Sequence, residues 1–214
     1  MSATVYPHRI GPVDPRNGFS LLELLTVMVI MGILLSLALP FTTSLQETNN
    51  LGFAGQMVVD QMAVARQYAA SRNQTVYVCF IDPSGSGING YTSLQLWPSL
   101  PSSGGLAVGR AVKLPGGIEI SANPALSPLV STYATTAGTM PASSNVQGTY
   151  IYLTVRPDGN LVAPNAPVAT ALTNMPHFFF TLLPVRFDGN STLPKNYVTV
   201  QINPDTAEAQ TFRP

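Results

Sequence analysis

An unbroken apolar run near the start of the chain limits its folding choices more than any other feature. Residues Phe19 to Phe41 read FSLLELLTVMVIMGILLSLALPF, and the 23 consecutive residues from Leu24 to Gln46 carry no formal charge. A helix needs about 20 such residues, at 1.5 Å each, to cross a bilayer. Ahead of the run lie 18 polar residues with Arg9 and Arg16 against Asp14, and with Pro7, Pro12 and Pro15, which disfavour a helix there. Positive charge before an apolar run points the N-terminus toward the cytoplasm and the remainder outward.

An ordinary secretory signal peptide would use Leu24 to Leu35 as its apolar core and Ser36-Leu37-Ala38 as a small-x-small cleavage site. A plain transmembrane anchor is a second reading. Neither accounts for Glu23, four residues after Phe19 and inside the apolar stretch. A carboxylate costs roughly 2.5 kcal/mol or more at mid-bilayer and less near an end, so it calls for a compensating charge. Gly32 and Ser36 form a small-xxx-small pair, which ordinary membrane-helix composition explains better than close helix approach does.

Gly18-Phe19-Ser20-Leu21-Leu22-Glu23-Leu24 resembles the processing motif of type IV prepilins and type II secretion pseudopilins. The resemblance implies cleavage after Gly18 by a membrane-embedded prepilin peptidase and N-methylation of the new N-terminal Phe19. It further implies an assembly role for Glu23, the acid at the fifth mature position, and a helix-bending role for Pro40. Physical chemistry fits this reading. The Phe19 amine stays cationic near neutral pH, because an unperturbed α-amino group titrates near 7.7 to 8.0. Pairing with a neighbouring subunit's Glu23 would give each buried charge a partner that it lacks in the isolated subunit.

Beyond Pro40 the pattern becomes amphipathic. Phe53, Ala54, Met57, Val58, Met62, Ala65, Tyr68 and Ala69 recur at three- and four-residue spacing, predicting a helix with one buried face. Asn49, Asn50 and Gly52 are poor helix formers and predict a loosened turn between the two halves. From Gln74 onward the period is two. Strands are expected at 75–80, 91–97, 111–114, 118–121, 149–155, 178–183, 197–202 and 210–212, with turns at Pro115-Gly116-Gly117, Asp158-Gly159 and Asp188-Gly189. The stretch from Ser121 to Gly148, rich in Ser, Ala, Thr, Pro and Gly, is long for a connection in a compact domain and reads as a surface feature or a mobile loop, with one apolar patch at 125–130.

The helix-then-strands layout is similar to the GspH/FimT type of minor pseudopilin, through residues 62–74 followed by Val76-Tyr77-Val78. It also resembles the pilin-like Verru_Chthon cassette protein D group through residues 70–74, 114–117 and 156–159 and the ending from Val200 to Pro214. There, Thr206-Ala207-Glu208 replaces the usual Thr-Gly-Arg turn.

Catalytic chemistry is sparse. Without residues 1–18, His177 is the one histidine, with no acid near it in sequence, and it reads as a strand-end residue rather than a base. One histidine and one cysteine, Cys79, cannot build a zinc site, and Cys79 reads as a small buried apolar residue. Asp158, Asp188 and Asp205 sit in turn sequences, without the clustered acids that a calcium loop needs. Gly85-Ser86-Gly87-Ile88-Asn89-Gly90 matches G-x-G-x-x-G, yet the residues after it alternate like a strand, so it reads as a hairpin tip and not a dinucleotide loop. Charged residues are only 9% of the chain. Eight basic and nine acidic side chains remain after Gly18, with Arg110 and Lys113 the close basic pair of the head, so nucleic acid is not an expected partner.

The expected fold is α+β and pilin-like, a long N-terminal helix packed on an antiparallel sheet or sandwich. Residues 1–18 form the leader peptide, 19–46 a transmembrane helix half, 47–73 an amphipathic half and 74–214 a β-rich head. The expected function is a structural subunit, a minor pilin or pseudopilin with no enzymatic activity, cofactor or metal. Its partners are the prepilin peptidase, other subunits through the N-terminal helix, and the inner membrane, with the head in the periplasm. The alternative is a secreted or anchored β-sandwich binding domain handled by an ordinary signal peptide.

Overall fold

The computed structural model describes residues 18–83, 90–164, 178–187 and 193–214, and for 37–45, 133 and 135–137 only the backbone. The expected leader, the hairpin tip at 85–89, His177 and the Asp188-Gly189 turn lie outside the described residues. The chain divides into two compact units, Met1–Thr43 and Ser44–Pro214.

Helix α1 spans Leu21–Arg72. Pro40 falls within that span, but its side chain, and so the bend expected there, lies outside the described residues. Asn49, Asn50 and Gly52 are helical, so no loosened turn forms at them. Contacts from the second unit hold this stretch: the Asn50 amide donates to the Gly116 carbonyl at 3.4 Å, and the Arg213 guanidinium crosses Gly52 where a larger residue's Cβ would sit. These contacts add to the tertiary packing that supports a stretch of weak helix formers. The helix stops at Asn73, whose φ of 48° is the left-handed conformation of a C′ residue; the Gln74 N–H donates to the Ala69 carbonyl at 3.1 Å.

Antiparallel strands follow. One sheet has the order β3(Val112–Lys113), β2(Ser93–Trp97), β1(Val76–Asp82), β6(Thr149–Val155), β5(Thr135–Thr139), with β7(Leu161–Val162) also pairing β6. The other has the order β10(Ala209–Phe212), β9(Val198–Ile202), β8(Phe179–Pro184), β4(Ile118–Ile120). All eight expected strands are found within a few residues, and the architecture is the α+β, helix-plus-antiparallel-sheet type of a pilin-like protein.

The main core joins α1 to both sheets. Leu51, Ala54, Val58, Met62, Ala65 and Ala69 are fully buried at three- and four-residue spacing and share one cluster with Val78, Phe80, Leu153, Phe180 and Val200. Gly55 lets the helix approach closely, since a Cβ there would meet Val198 and Thr211 methyl groups at 3.1 Å. Phe53, expected on the buried face, is instead 66% exposed. The stripe that packs runs through Leu51 and Gly55, and Phe53 lies outside it.

Residues 121–148 are neither a bare surface loop nor uniformly irregular. Leu126, Leu129 and Val130 are buried, with a π-helical turn at Leu129–Tyr133. Ser127 Oγ accepts the Thr181 N–H at 3.0 Å, and the Thr181 hydroxyl donates to the Leu126 carbonyl at 2.6 Å, fastening the segment to β8. The chain then supplies β5 to the first sheet, with a register shift between Thr136 and Gly138. The apolar patch is a plug, and its tail is an edge strand.

Candidate functional site

The sequence points to the start of α1. Gly18, Phe19 and Ser20 precede the helix, and Ser20 caps it: Ser20 Oγ accepts the Glu23 N–H at 3.2 Å, and the Ser20 carbonyl accepts from Glu23 and Leu24 at 3.0 and 3.1 Å. A serine N-cap three residues before a glutamate satisfies donors that the first turn leaves open. Glu23 thereby falls in the first turn, where the helix dipole favours a negative charge by about 0.3–1 kcal/mol. Phe19 stays outside the helix and is 78% exposed. Among the described residues the Glu23 carboxylate has no hydrogen bond or ion pair within the chain.

From Gly18 to Ser36 every residue is exposed, on every side of the helix, including Leu21, Leu22, Leu25, Met28, Ile30, Ile33 and Leu34. A helix that is apolar all round finds a stable setting only when something apolar surrounds it. Among the described residues no helix is long and apolar enough to cross a membrane. The stretch whose side chains are described ends at Ser36, short of the 19–46 span expected from the sequence. Within the stretch, the hydroxyls of Thr26 and Ser36 turn back to the carbonyls of Glu23 and Ile33 at 2.9 and 2.7 Å, so neither presents an unmet donor.

Elsewhere the residues weighed for chemistry hold structure. The Asp158 carboxylate accepts the Asn160 N–H at 3.0 Å and the Asn160 amide at 2.9 Å. The Asn160 N–H, foremost, holds this carboxyl below its usual range. The Asn203 side chain accepts the Asp205 N–H at 2.9 Å in the turn before β10. Cys79 is fully buried in β1, and desolvation drives its thiol far above the usual range. Arg110 and Lys113 are exposed near the edge of the first sheet. Among the described residues no group of three or more His, Cys, Asp or Glu could hold a metal ion.

Three residues escaped sequence reasoning. Glu119, in Ile118-Glu119-Ile120, alternates like a solvent-facing strand residue, yet it is fully buried against Gly90, because β4 is covered on both faces. Glu47 pairs with Arg186 at 2.6 Å, and Arg186 also lies 4.9 Å from the Phe187 ring centre. Their separation of 139 residues leaves no local signal for such a pair.

Residues 14–39 match a family model described as the prokaryotic N-terminal methylation motif. The chain carries a prepilin-type methylation motif. The matched residues contain Gly18, Phe19 and Glu23, and the motif supports a type IV pilin-like protein, processed by a prepilin peptidase and assembling with other pilins in a membrane-anchored or pilus setting. No curated protein and no solved structure matches the chain.

Proposed function

We propose that the protein is a structural subunit, a minor pilin or pseudopilin of the GspH/FimT type, built into a type IV pilus or a type II secretion pseudopilus and without enzymatic activity. In this reading residues 1–18 are removed after Gly18, Phe19 is methylated, and residues 19–46 cross the inner membrane with the head in the periplasm. The observation that carries the reading is the conjunction, within residues 14–39, of the methylation motif and an all-round exposed apolar helix with one acid in its first turn.

The mechanism follows from the charge arithmetic. In a lone subunit Glu23 is offset only by the helix dipole and the Ser20 cap. A neighbouring subunit's Phe19 amine, held outside its own helix by that cap, is free to reach the carboxylate. In a low-dielectric setting an unpaired carboxylate and an unpaired ammonium each cost several kcal/mol. Pairing removes both costs at once, so the subunit gains more by entering a fibre than by drifting laterally. The apolar flanks of residues 21–36 then pack against the same residues of other copies.

Mass spectrometry of the mature N-terminus tests the processing step. Methylated Phe19 is expected; a start at Leu39 means signal-peptide handling and the secreted-domain reading, and a chain that keeps residues 1–18 beside an active leader peptidase overturns the proposal. Glu23→Ala tests the pairing, with normal cleavage and a fall of about tenfold or more in fibre incorporation expected. Normal incorporation of that variant would refute the charge-pair mechanism.

A further inference from the structure

The first sheet is buried on both faces. Its inner face feeds the main core. Its outer face carries a separate cluster of Cys79, Ile81, Trp97, Met140, Val146 and Tyr150, flanked by Tyr77 and Tyr152, whose rings meet edge to face at 5.4 Å. The strand register explains this, since Trp97 pairs across from Tyr77, and Gln95 and Tyr152 flank Cys79, all on the same side.

Two segments cover the cluster. The strap 98–111 leaves β2 and returns to the sheet through the Val108 N–H, which donates to the Leu96 carbonyl at 2.7 Å. It contains Gly104 and Gly109, both at positive φ, and Leu106 at its outer surface is 79% exposed. The strap 140–148 folds back on itself through the Met140 N–H to the Gly148 carbonyl at 2.8 Å. One polar clip joins the two. The buried Gln95 amide donates to the Gly109 carbonyl at 3.3 Å, the Ser144 hydroxyl donates to Gln95 Oε1 at 2.7 Å, and the Ala111 N–H donates to Asn145 Oδ1 at 2.9 Å.

We propose that the two straps form a single lid, which opens as a unit over the Trp97 and Cys79 face while the main core stays folded. Three observations carry this. Both straps are latched to the same β2 residue, Gln95, and Asn145 ties one strap to the other, so releasing this clip loosens both. The lid shuts in the Trp97 Nε1 donor, which has no hydrogen-bond partner among the described residues, and a buried donor without a partner makes closure costly. In strap 98–111 only Pro101 is buried, and the strap carries two glycines at positive φ and an exposed Leu106, features of a segment that opens below the global unfolding free energy. When the lid lifts, Trp97 Nε1 meets water, and an aromatic strip of Tyr77, Trp97, Tyr150 and Tyr152 is uncovered.

Cys79 and Trp97 are the chain's single cysteine and single tryptophan, so two unambiguous probes lie beneath the lid. The test uses the full-length protein in detergent micelles, with Cys79 alkylation and acrylamide quenching of Trp97 followed at urea concentrations below the unfolding transition. Labelling that proceeds with little dependence on urea, and that speeds up about five- to tenfold in Asn145→Ala without a shift in the main unfolding midpoint, is the expected result, that being the scale of one lost hydrogen bond. The idea is overturned if wild-type labelling shows the full urea dependence of global unfolding. It is equally overturned if Asn145→Ala leaves labelling unchanged, or accelerates it only in proportion to a lowered midpoint.

Discussion

At Asp158 a single turn shows how the sparse charges of this chain are used. The carboxylate lies in the turn between β6 and β7 beside Gly159, whose φ of 88° a side chain rarely adopts. Chiefly the Asn160 N–H lowers its pKa below the usual 3.8, so the folded state binds this proton more weakly than the unfolded chain does. The contribution to stability is therefore full above the unfolded value and is lost as pH falls through the folded one. Asp158→Ala should unfold at lower urea than wild type at neutral pH, with the gap between the two midpoints closing as the pH drops below about 4. A gap that persists to pH 2 would assign the loss to the backbone of the turn. Phe80 illustrates the apolar counterpart. It is fully buried, with its ring 5.5 Å from Phe180 and 6.4 Å from Tyr91, both edge to face. Phe80→Ala should cost about 3–5 kcal/mol in chemical denaturation, from lost transfer energy and the cavity left between the sheets.

Among the elements, α1 shows two regimes in one continuous helix. From Leu21 to Leu35 its side chains are exposed on all faces, whereas from Leu51 to Ala69 a single stripe is buried and the opposite side carries polar pairs such as Gln56 with Asp60 at 2.8 Å. The buried half depends on close approach at Gly55. Gly55→Leu should lower stability by about 1–3 kcal/mol through overpacking against Val198 and Thr211, read as a reduced thermal midpoint of the head. Gly55→Ala should stay within about 1 kcal/mol of wild type, because the helix-propensity gain offsets the tight 3.1 Å contact. Strand β5 is the element without a sequence signature. Thr135-Thr136-Ala137-Gly138-Thr139 holds no large apolar residue and does not alternate, and β6 next to it makes it a strand.

For the whole molecule, the main core among the described residues begins at Leu51 and lies within the unit Ser44–Pro214. A chain lacking residues 1–43 should therefore unfold cooperatively and keep a buried Trp97 emission, since among the described residues none of its core contacts comes from the deleted part. Non-cooperative melting of that chain would show that the head depends on the apolar stem. The division suits the proposed role. The residues that would join subunits and those that hold the head together are different residues, so Glu23→Ala should lower incorporation without changing the thermal midpoint of the head.

The sequence alone determined what depends on neighbours along the chain: the apolar run and its solitary acid, the helical stripe from Ala54 to Ala69, and turns such as Asp158-Gly159 whose φ or side-chain bonding is a local property. The match to the methylation motif at 14–39 likewise rests on contiguous residues. Tertiary structure decided the side of the stripe on which Phe53 falls, the burial of Glu119, the pairing of β5, and the second core under its lid. Each of these is set by segments that are not neighbours along the chain. Alternation and three- and four-residue spacing report which face is apolar, but they cannot report that both faces of a strand are covered, because the covering segments are not its neighbours in sequence.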